Sequence, residues 1–439
     1  MVPYWKFEGE GATMRITDEQ DRRAIALAYV DAEVPAEQEL EIEVRGRRLG
    51  AQLVRWHGRS EAPPFFRAIP GDWESKSVVQ APSKIKEQVS ILLKKSVENH
   101  EWRQRQCINL IPSEMTQSTL VRLLQITDPC GRYAEHKELL AAFEQEIFYY
   151  QGTEFIAWAE DRLVEEMQSF LGYPLVETRV ISGQMANMTI FSALVDFLNR
   201  TDRRSEPRRI PLVMNNHIGK GGHLSSQPMG ALRDYVAKDP VTEKYSVLNF
   251  PVLPDNPYCI DLNETANLLD RFDPELIILG KSMILHPEPV AAIRKMLETK
   301  TSRPVIMYDM AHVLGLIGPH FQNPYEEGAD IITGSTHKTF YGSQRGVIGA
   351  AYEEGAPEFE LWKSIERRAF PGAVSNHHLG TLLGLLMAVL EMNAFKDSYQ
   401  PQVVANAKAF AQALVDEGLE VQGDPEIGYT ETHQVVVVV

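Results

Sequence analysis

The chain has 439 residues, enough for about two or three domains and a large core. Its 44% apolar and 24% charged residues are the balance of a soluble globular protein. The net charge of -16, without a long basic stripe, speaks against nucleic acid as a partner. Cys107, Cys130 and Cys259 are widely spaced and form no CxxC pair, so neither a disulfide framework nor a metal site is expected. That usage fits a reducing, cytoplasmic compartment. The start "MVPYWKFEGEGATMR" lacks the charged and apolar regions of a signal peptide. No apolar run approaches the roughly 20 residues of a membrane span, so no membrane association is expected.

Residues 1–75 read as a small β domain. "AIALAYVDAEVP" and "ELEIEVRGRRLGAQLV" alternate apolar and polar residues; Ile42 and Val44 alternate with Glu41, Glu43 and Arg45. That is the period of a half-buried strand. "HGRSEAPPFFRAIPGDWESKS" is rich in Pro, Gly and Ser and looks like a linker, with residues 76–84 joining the β domain to the domain from 85. From there the pattern turns helical in "SKIKEQVSILLKKSVENHEWRQRQ". "EFIAWAEDRLVEEMQSFLG" places Phe155, Trp158, Ala159, Leu163, Met167 and Phe170 at helical spacing and closes on Gly172 as a C′ residue.

Short apolar runs then alternate with helical stretches: "TRVIS", "IPLVMN", "ELIILG", "PVIMYD", "ADIITG" and "GVIGAAY". This predicts an α/β fold, a mostly parallel sheet with helices on both faces. The final "GYTETHQVVVVV" reads as a chain that stops inside a strand, with five valines on an awkward edge.

In an open α/β sheet, ligands bind at the carboxyl ends of the strands. Lys338 stands there, in "GADIITGSTHKTFYGSQRG", just past "ADIITG". Such a lysine can form a Schiff base with an aldehyde cofactor, although a solvated strand-end lysine would look the same. Asp309 and His312 follow the strand "PVIMYD"; a carboxylate there suits the ring nitrogen of pyridoxal phosphate. Ser182, Gly183 and Gln184 in "VISGQMANMTIF" lie where a strand meets a helix, a place for an anionic phosphate. His223 in "KGGHLSS" follows two glycines that permit close backbone approach, and its ring can stack on a planar cofactor. Each signal alone is weak. Together, anion cradle, stacking ring, carboxylate and lysine follow the order of the large domain of a fold-type I pyridoxal-phosphate enzyme. No GxGxxG follows a strand, so a nicotinamide dehydrogenase has no support.

Over residues 85–439 the motifs "INLIPSEMTQSTLV", "GRYAEH", "YYQGTEFI", "SGQMANM", "KGGHLSS", "YDMAHVLGL" and "THKTFYGSQRG" resemble serine hydroxymethyltransferase. The resemblance implies that Lys338 carries the cofactor, Asp309 meets its ring nitrogen and His223 stacks on its ring. It also implies that His312 and Ser282 lie near the phenolic oxygen, that Ser182, Gly183 and Gln184 hold the phosphate, and that Ser335 and His337 flank the lysine. Tyr133 and Glu135 match a tyrosine and a proton-transferring glutamate that the family supplies across a dimer interface. Tyr149 and Tyr150 match its paired tyrosines, and Ser113 its contact to the substrate carboxylate. The implied reaction interconverts serine and glycine by Cα–Cβ cleavage, with tetrahydrofolate as one-carbon acceptor, in a homodimer or homotetramer.

Three departures stand against the family pattern. "SGSQAN" is here "SGQMAN", and a glycine-rich stretch is replaced by "PGAVSNHHLG" with His377 and His378. The family's small C-terminal domain, with the arginine that clamps the substrate carboxylate, is expected to be cut short here. The second departure is similar to threonine transaldolases, which act without folate; a non-catalytic cofactor-binding paralogue is the other alternative. The segment "AIALAYVDAEVPAEQELEIEVRGRRLGAQLV" resembles the C-terminal barrel of glycine-cleavage aminomethyltransferases, without their folate-binding body.

Overall fold

The computed structural model describes residues 2–8, 15–23, 39–44, 47–52, 83–134, 136–138, 146–148, 150–202 and 204–438. The chain divides into two compact units, Met1–Cys107 and Ile108–Val439. In the first, strands β1 (Val2–Glu8) and β2 (Arg15–Arg23) pair antiparallel, with an irregularity between Trp5 and Phe7. β3 (Glu39–Val44) and β4 (Arg47–Gln52) form a tight hairpin with Val44 opposite Arg47, which matches part of the alternating pattern. The predicted strand "AIALAYVDAEVP" and the linker through residue 82 lie outside the described residues. Helix α1 (Ser83–Glu101) follows and ends in a single π turn, Trp102–Gln106.

The second unit begins with α2 (Thr119–Gln125), capped by the Ser118 hydroxyl, which accepts from the Val121 N–H at 3.1 Å. A short antiparallel pair follows, β5 (His136–Glu138) with β6 (Glu146–Phe148). Helix α3 (Glu154–Leu171) ends where predicted: Gly172 takes φ +76°, a left-handed conformation that favours glycine. It buries Ile156, Ala159, Leu163, Met167 and Phe170. Phe155 and Trp158 depart from the expected core face. They are 52% and 58% exposed and stack on each other at 6.1 Å, because the buried stripe begins at Ile156 and continues through the predicted Ala159, Leu163, Met167 and Phe170.

The remaining elements build one sheet and its cover. They are β7 (Leu175–Glu177), α4 (Gly183–Leu198), β8 (Val213–Asn215), β9 (Val247–Asn249), α5 (Leu262–Arg271), β10 (Leu276–Leu279) and α6 (Val290–Leu297). After them come β11 (Val305–Asp309), β12 (Ile331–Ser335), β13 (Gly346–Ala350), α7 (Phe359–Arg367) and α8 (Leu379–Asp416). The strand order is β7-β13-β12-β11-β10-β8-β9. From β9 to β12 all neighbours are parallel; β13 is antiparallel to both β12 and β7.

Why these strands read as unbroken apolar runs is visible in their burial. In β10, Ile277 and Leu279 join the core on one face, while Leu276 and Ile278 join the core on the other. Both faces are covered, so both sets of alternating side chains are apolar. One layer contains α3, α5, α6 and α8; the other contains α4 and α7. Among the described helices α8 alone is long and apolar enough to cross a membrane by length and composition; Leu382, Leu385, Val389 and Met392 of that helix are buried in the core.

Two further expectations need correcting. "TRVIS" is not a strand: pairing with β13 ends at Glu177, and only an isolated hydrogen bond, Gly346 N–H to Val180 O at 3.0 Å, continues it. The terminal valines make no strand either. They form one antiparallel bridge, Val421 with Val437, because the segment opposite offers only that short contact.

Candidate active site

The carboxyl ends of β10, β11 and β12 converge with the N-terminus of α4. Asp309 is the last residue of β11 and only 3% exposed. Its Oδ2 lies 2.5 Å from His223 Nδ1 and accepts from Asn187 Nδ2 at 2.7 Å and from the Ser225 hydroxyl at 3.3 Å. Its Oδ1 accepts from the Ala311 N–H at 3.1 Å. Burial alone would push this carboxyl up. The neighbouring His223 ring and the donated hydrogen bonds outweigh it and hold the carboxyl well below the usual carboxylate range. Asn187 is itself fixed, since its Oδ1 accepts from the Thr333 hydroxyl at 2.6 Å.

Beside this carboxylate stands the lysine. Lys338 follows β12, and its Nζ lies 3.3 Å from His312 Nε2. The rings of His223 and His312 meet edge to face, 5.4 Å between centres. Burial lowers the Lys338 amine from its usual value, with Asp309 opposing the shift. Burial, then Lys338 and His223, brings His312 down to about 3. His312 is therefore neutral near pH 7 and adds no charge against the lysine. Lys338 has no ion-pair partner among the described residues, so its amine is available for chemistry.

A third group gathers around α4. Ser182 is its N-cap, accepting from the Met185 N–H at 3.1 Å. Gly183 opens the helix so close to β12 that an added Cβ would sit 2.1 Å from Ser335 Oγ. This is a cradle that a side chain would fill, at the positive end of a helix dipole. Two buried ring nitrogens, His312 Nδ1 and His337 Nδ1, have no partner among the described residues. A buried lysine whose amine burial shifts downward, a buried carboxylate, an anion cradle and unpartnered imidazole nitrogens together fit pyridoxal phosphate.

The other predicted residues are more dispersed. Ser282 follows β10; its N–H donates to Gly221 O and its carbonyl accepts from Gln434. Gln184 is exposed and Ser113 half-buried. Tyr133 and Tyr150 pair with each other at 5.7 Å on the surface, 54% and 44% exposed, away from any described contact with Lys338. Glu135 and Tyr149 lie outside the described residues. Sequence reasoning did not single out Asn187, Ser225 or His433. Asn187 stands one helical turn after Gly183 on the same face, which is a usable signal. His433 donates from Nε2 to Pro112 O at 3.0 Å, and burial brings it down to about 4.

Two consequences follow from this geometry. Gly280, at φ +107°, would place a Cβ 2.1 Å from the Asp309 carbonyl oxygen. Gly280→Ala is expected to cost roughly 1–3 kcal/mol from backbone strain alone, measured by denaturant unfolding, and to weaken cofactor binding by displacing Asp309. The buried histidines give a pH dependence. His312 and His433 titrate lower folded than unfolded, near 3 and 4 against about 6.5. As pH falls below about 6.5, the unfolded chain takes up protons that the folded one refuses, so stability falls. Thermal unfolding of the apoprotein should drop from pH 6 towards pH 4, and His433→Gln should flatten that drop.

The serine hydroxymethyltransferase family model matches residues 86–439. A serine hydroxymethyltransferase of Archaeoglobus fulgidus is 36% identical over 342 residues, covering 78% of this chain and 69% of that protein. One of Pyrobaculum aerophilum is 36% identical over 357 residues, covering 81% and 74%. Among solved structures, L-threonine transaldolase from Pseudomonas fluorescens, in its internal aldimine state, superposes with a TM-score of 0.65 at 26% identity, covering 81% of this chain and 74% of that one. On the match of its family model and the identity to these relatives, the chain belongs to the serine hydroxymethyltransferase family.

Proposed function

We propose that this protein interconverts serine and glycine, with pyridoxal phosphate as cofactor and tetrahydrofolate as one-carbon acceptor. The observation that carries the reading is the buried Asp309 carboxylate, clamped by His223 and Asn187 beside the Lys338–His312 pair. When bound, pyridoxal phosphate takes up the electron pair left on Cα as the Cα–Cβ bond breaks. Asp309 would hold the ring nitrogen and His223 would lie on the ring face. Ser182, Gly183 and Gln184 would hold the phosphate, with Ser335 and His337 beside Lys338, and Ser282 and His312 at the phenolic oxygen. Ser113 would bind the carboxylate of the amino acid.

Glu135 would move the proton at the hydroxymethyl group. In this reading Tyr133, Glu135, Tyr149 and Tyr150 complete the site of a second copy, in a homodimer or homotetramer working in the cytoplasm. Leu120, Leu123 and Ile126 on and after α2, with Phe155 and Trp158 on α3, are exposed and supply apolar surface for such an assembly. Mixing inactive Glu135→Gln protein with inactive Lys338→Ala protein is expected to restore activity; no restoration would mean that Glu135 serves its own chain. We also assign residues 1–75 to a separate β module, 76–84 to a linker and 85–439 to the catalytic domain, the first being similar to an aminomethyltransferase barrel.

The test is glycine release from serine by purified protein loaded with pyridoxal phosphate, with and without tetrahydrofolate. Strong stimulation by the folate supports the reading. A second reading, glycine transfer from threonine to another aldehyde, is favoured by the likeness to the threonine transaldolase. Folate-independent exchange between threonine and an added aldehyde, without folate-stimulated serine cleavage, would establish it instead. Release of glycine under neither condition would leave a cofactor-binding protein without turnover.

A further inference from the structure

Residues 108–118, which carry Ser113, form no helix or strand. Within them Ile111–Glu114 closes a β-turn, the Glu114 N–H donating to Ile111 O at 3.1 Å. Pro112 takes the second position of the turn, where its ring presets φ, and Ser113 takes the third. Asn109 braces the two ends. Its Oδ1 accepts from the Ile111 N–H at 3.1 Å, and its Nδ2 donates to Glu114 Oε2 at 2.9 Å. Neither bond touches the Pro112–Ser113 peptide between those ends. The two common turn types differ by a half-turn of this central peptide, and the flipped form needs a positive φ at the third position. Ser113 stays out of that region. Something must therefore hold the central peptide in the orientation it has.

The Pro112 carbonyl, one end of that peptide, accepts from His433 Nε2 at 3.0 Å, across 321 residues of sequence. A carbonyl only accepts, so Nε2 carries the ring proton. Nδ1 of the same ring is buried without a partner among the described residues, which fits a neutral ring with its proton on Nε2. His433 is itself held from both sides. The Thr432 hydroxyl donates to Ile284 O at 2.7 Å; Gln434 Oε1 accepts from the Ile284 N–H at 2.8 Å, and its Nε2 donates to Ser282 O at 2.8 Å. Thr432 and Gln434 are buried, so His433 stands on a fixed rail beside the stretch that follows β10. Pro112, His433 and Thr339, the neighbour of Lys338, line one cavity of about 750 Å³. We propose that His433 is a positioning residue for the amino-acid substrate: its Nε2–H holds the Pro112–Ser113 peptide in one orientation and so aims Ser113 at the substrate carboxylate. This rests on the reading that Ser113 binds that carboxylate.

The experiment titrates the full-length protein, loaded with pyridoxal phosphate, with serine. Cofactor absorbance gives the serine Kd, and glycine release gives KM and kcat. His433→Leu is expected to raise Kd and KM about tenfold, the scale of one lost hydrogen bond, while kcat falls less than about threefold. Affinity for pyridoxal phosphate should stay within about twofold, since the lost bond lies on the substrate side. His433→Gln returns an amide N–H near the place of Nε2 and should bring Kd and KM back to within about threefold of wild type. Thermal unfolding shows whether each variant is folded; where His433→Leu is not, His433→Asn, with an amide too short to reach Pro112 O, replaces it. In a Ser113→Ala background the same change should add less than about twofold, because both act through one contact. The proposal is overturned if the folded Leu or Asn variant binds serine as wild type does, if His433→Gln is as weak as that variant, or if the loss adds in full to that of Ser113→Ala. If the wild-type protein does not respond to serine, or Ser113→Ala leaves Kd unchanged, the Ser113 reading fails and takes the proposal with it. If Ser113→Ala weakens serine binding and the His433 change does not, the proposal alone fails.

Discussion

Lys338→Ala is expected to lower serine cleavage by roughly 10³-fold or more, and borohydride should no longer fix pyridoxal phosphate to the chain. The loss corresponds to about 4 kcal/mol of barrier. The reason lies in what surrounds the amine. A solvated lysine is a protonated cation at neutral pH and a poor nucleophile. Here burial shifts the amine towards its neutral form, and the adjacent His312, itself neutral, gives Nζ a polar neighbour without a competing carboxylate. Alanine removes the nucleophile while leaving Asp309, His223 and the Ser182–Gly183 cradle in place. The variant should therefore still bind pyridoxal phosphate non-covalently. A folded Lys338→Ala protein that retained activity within tenfold of wild type would remove this lysine from the chemistry.

The parts of this site that could be read from sequence follow a physical rule. Asp309 and Lys338 end strands that are buried on both faces, so the apolar run before each is continuous and its end conspicuous. The parallel sheet places those ends on one edge, and the strand order brings β11 and β12 side by side. The clamp on Asp309 was not legible in the same way. Asn187 sits inside a helix and Ser225 in a short turn, and each residue type is common there as a local cap. Only the fold shows that Asn187 joins Thr333, Ser225 and Asp309. The exposed Phe155 and Trp158 show another limit. Helical spacing finds most of the stripe, but at its start it cannot tell Ile156, which is buried, from Phe155 and Trp158, which are not. Strands of three residues such as β9 are too short to carry a period at all.

Asp309→Asn should separate the electrostatic part of the site from its shape. The change is nearly isosteric, so β11 and its Ala311 turn should survive. Its chemical effect is large. Oδ2 meets four donors in the native site: Asn187, the Ser225 and Ser226 hydroxyls and the His223 ring. An amide nitrogen there would face the Asn187 donor, and turning the amide would put it against the Ala311 N–H. Either orientation leaves a buried donor unsatisfied, at about 1–3 kcal/mol. The fixed negative charge that would stabilise a protonated ring nitrogen is also lost. Activity should fall about 10²–10³-fold, the scale of removing one preorganised electrostatic partner. Affinity for pyridoxal phosphate, read from absorbance titration, should fall with it. The native carboxyl is held below its ordinary range, so its contribution to stability is present above about pH 4 and fades only as pH falls further. Asp309 thus adds no acid limb to the activity profile above that pH. A variant that kept cofactor affinity and lost less than tenfold in rate would mean that the carboxylate only braces His223 and Asn187, and that the ring nitrogen needs no counter-charge from this chain.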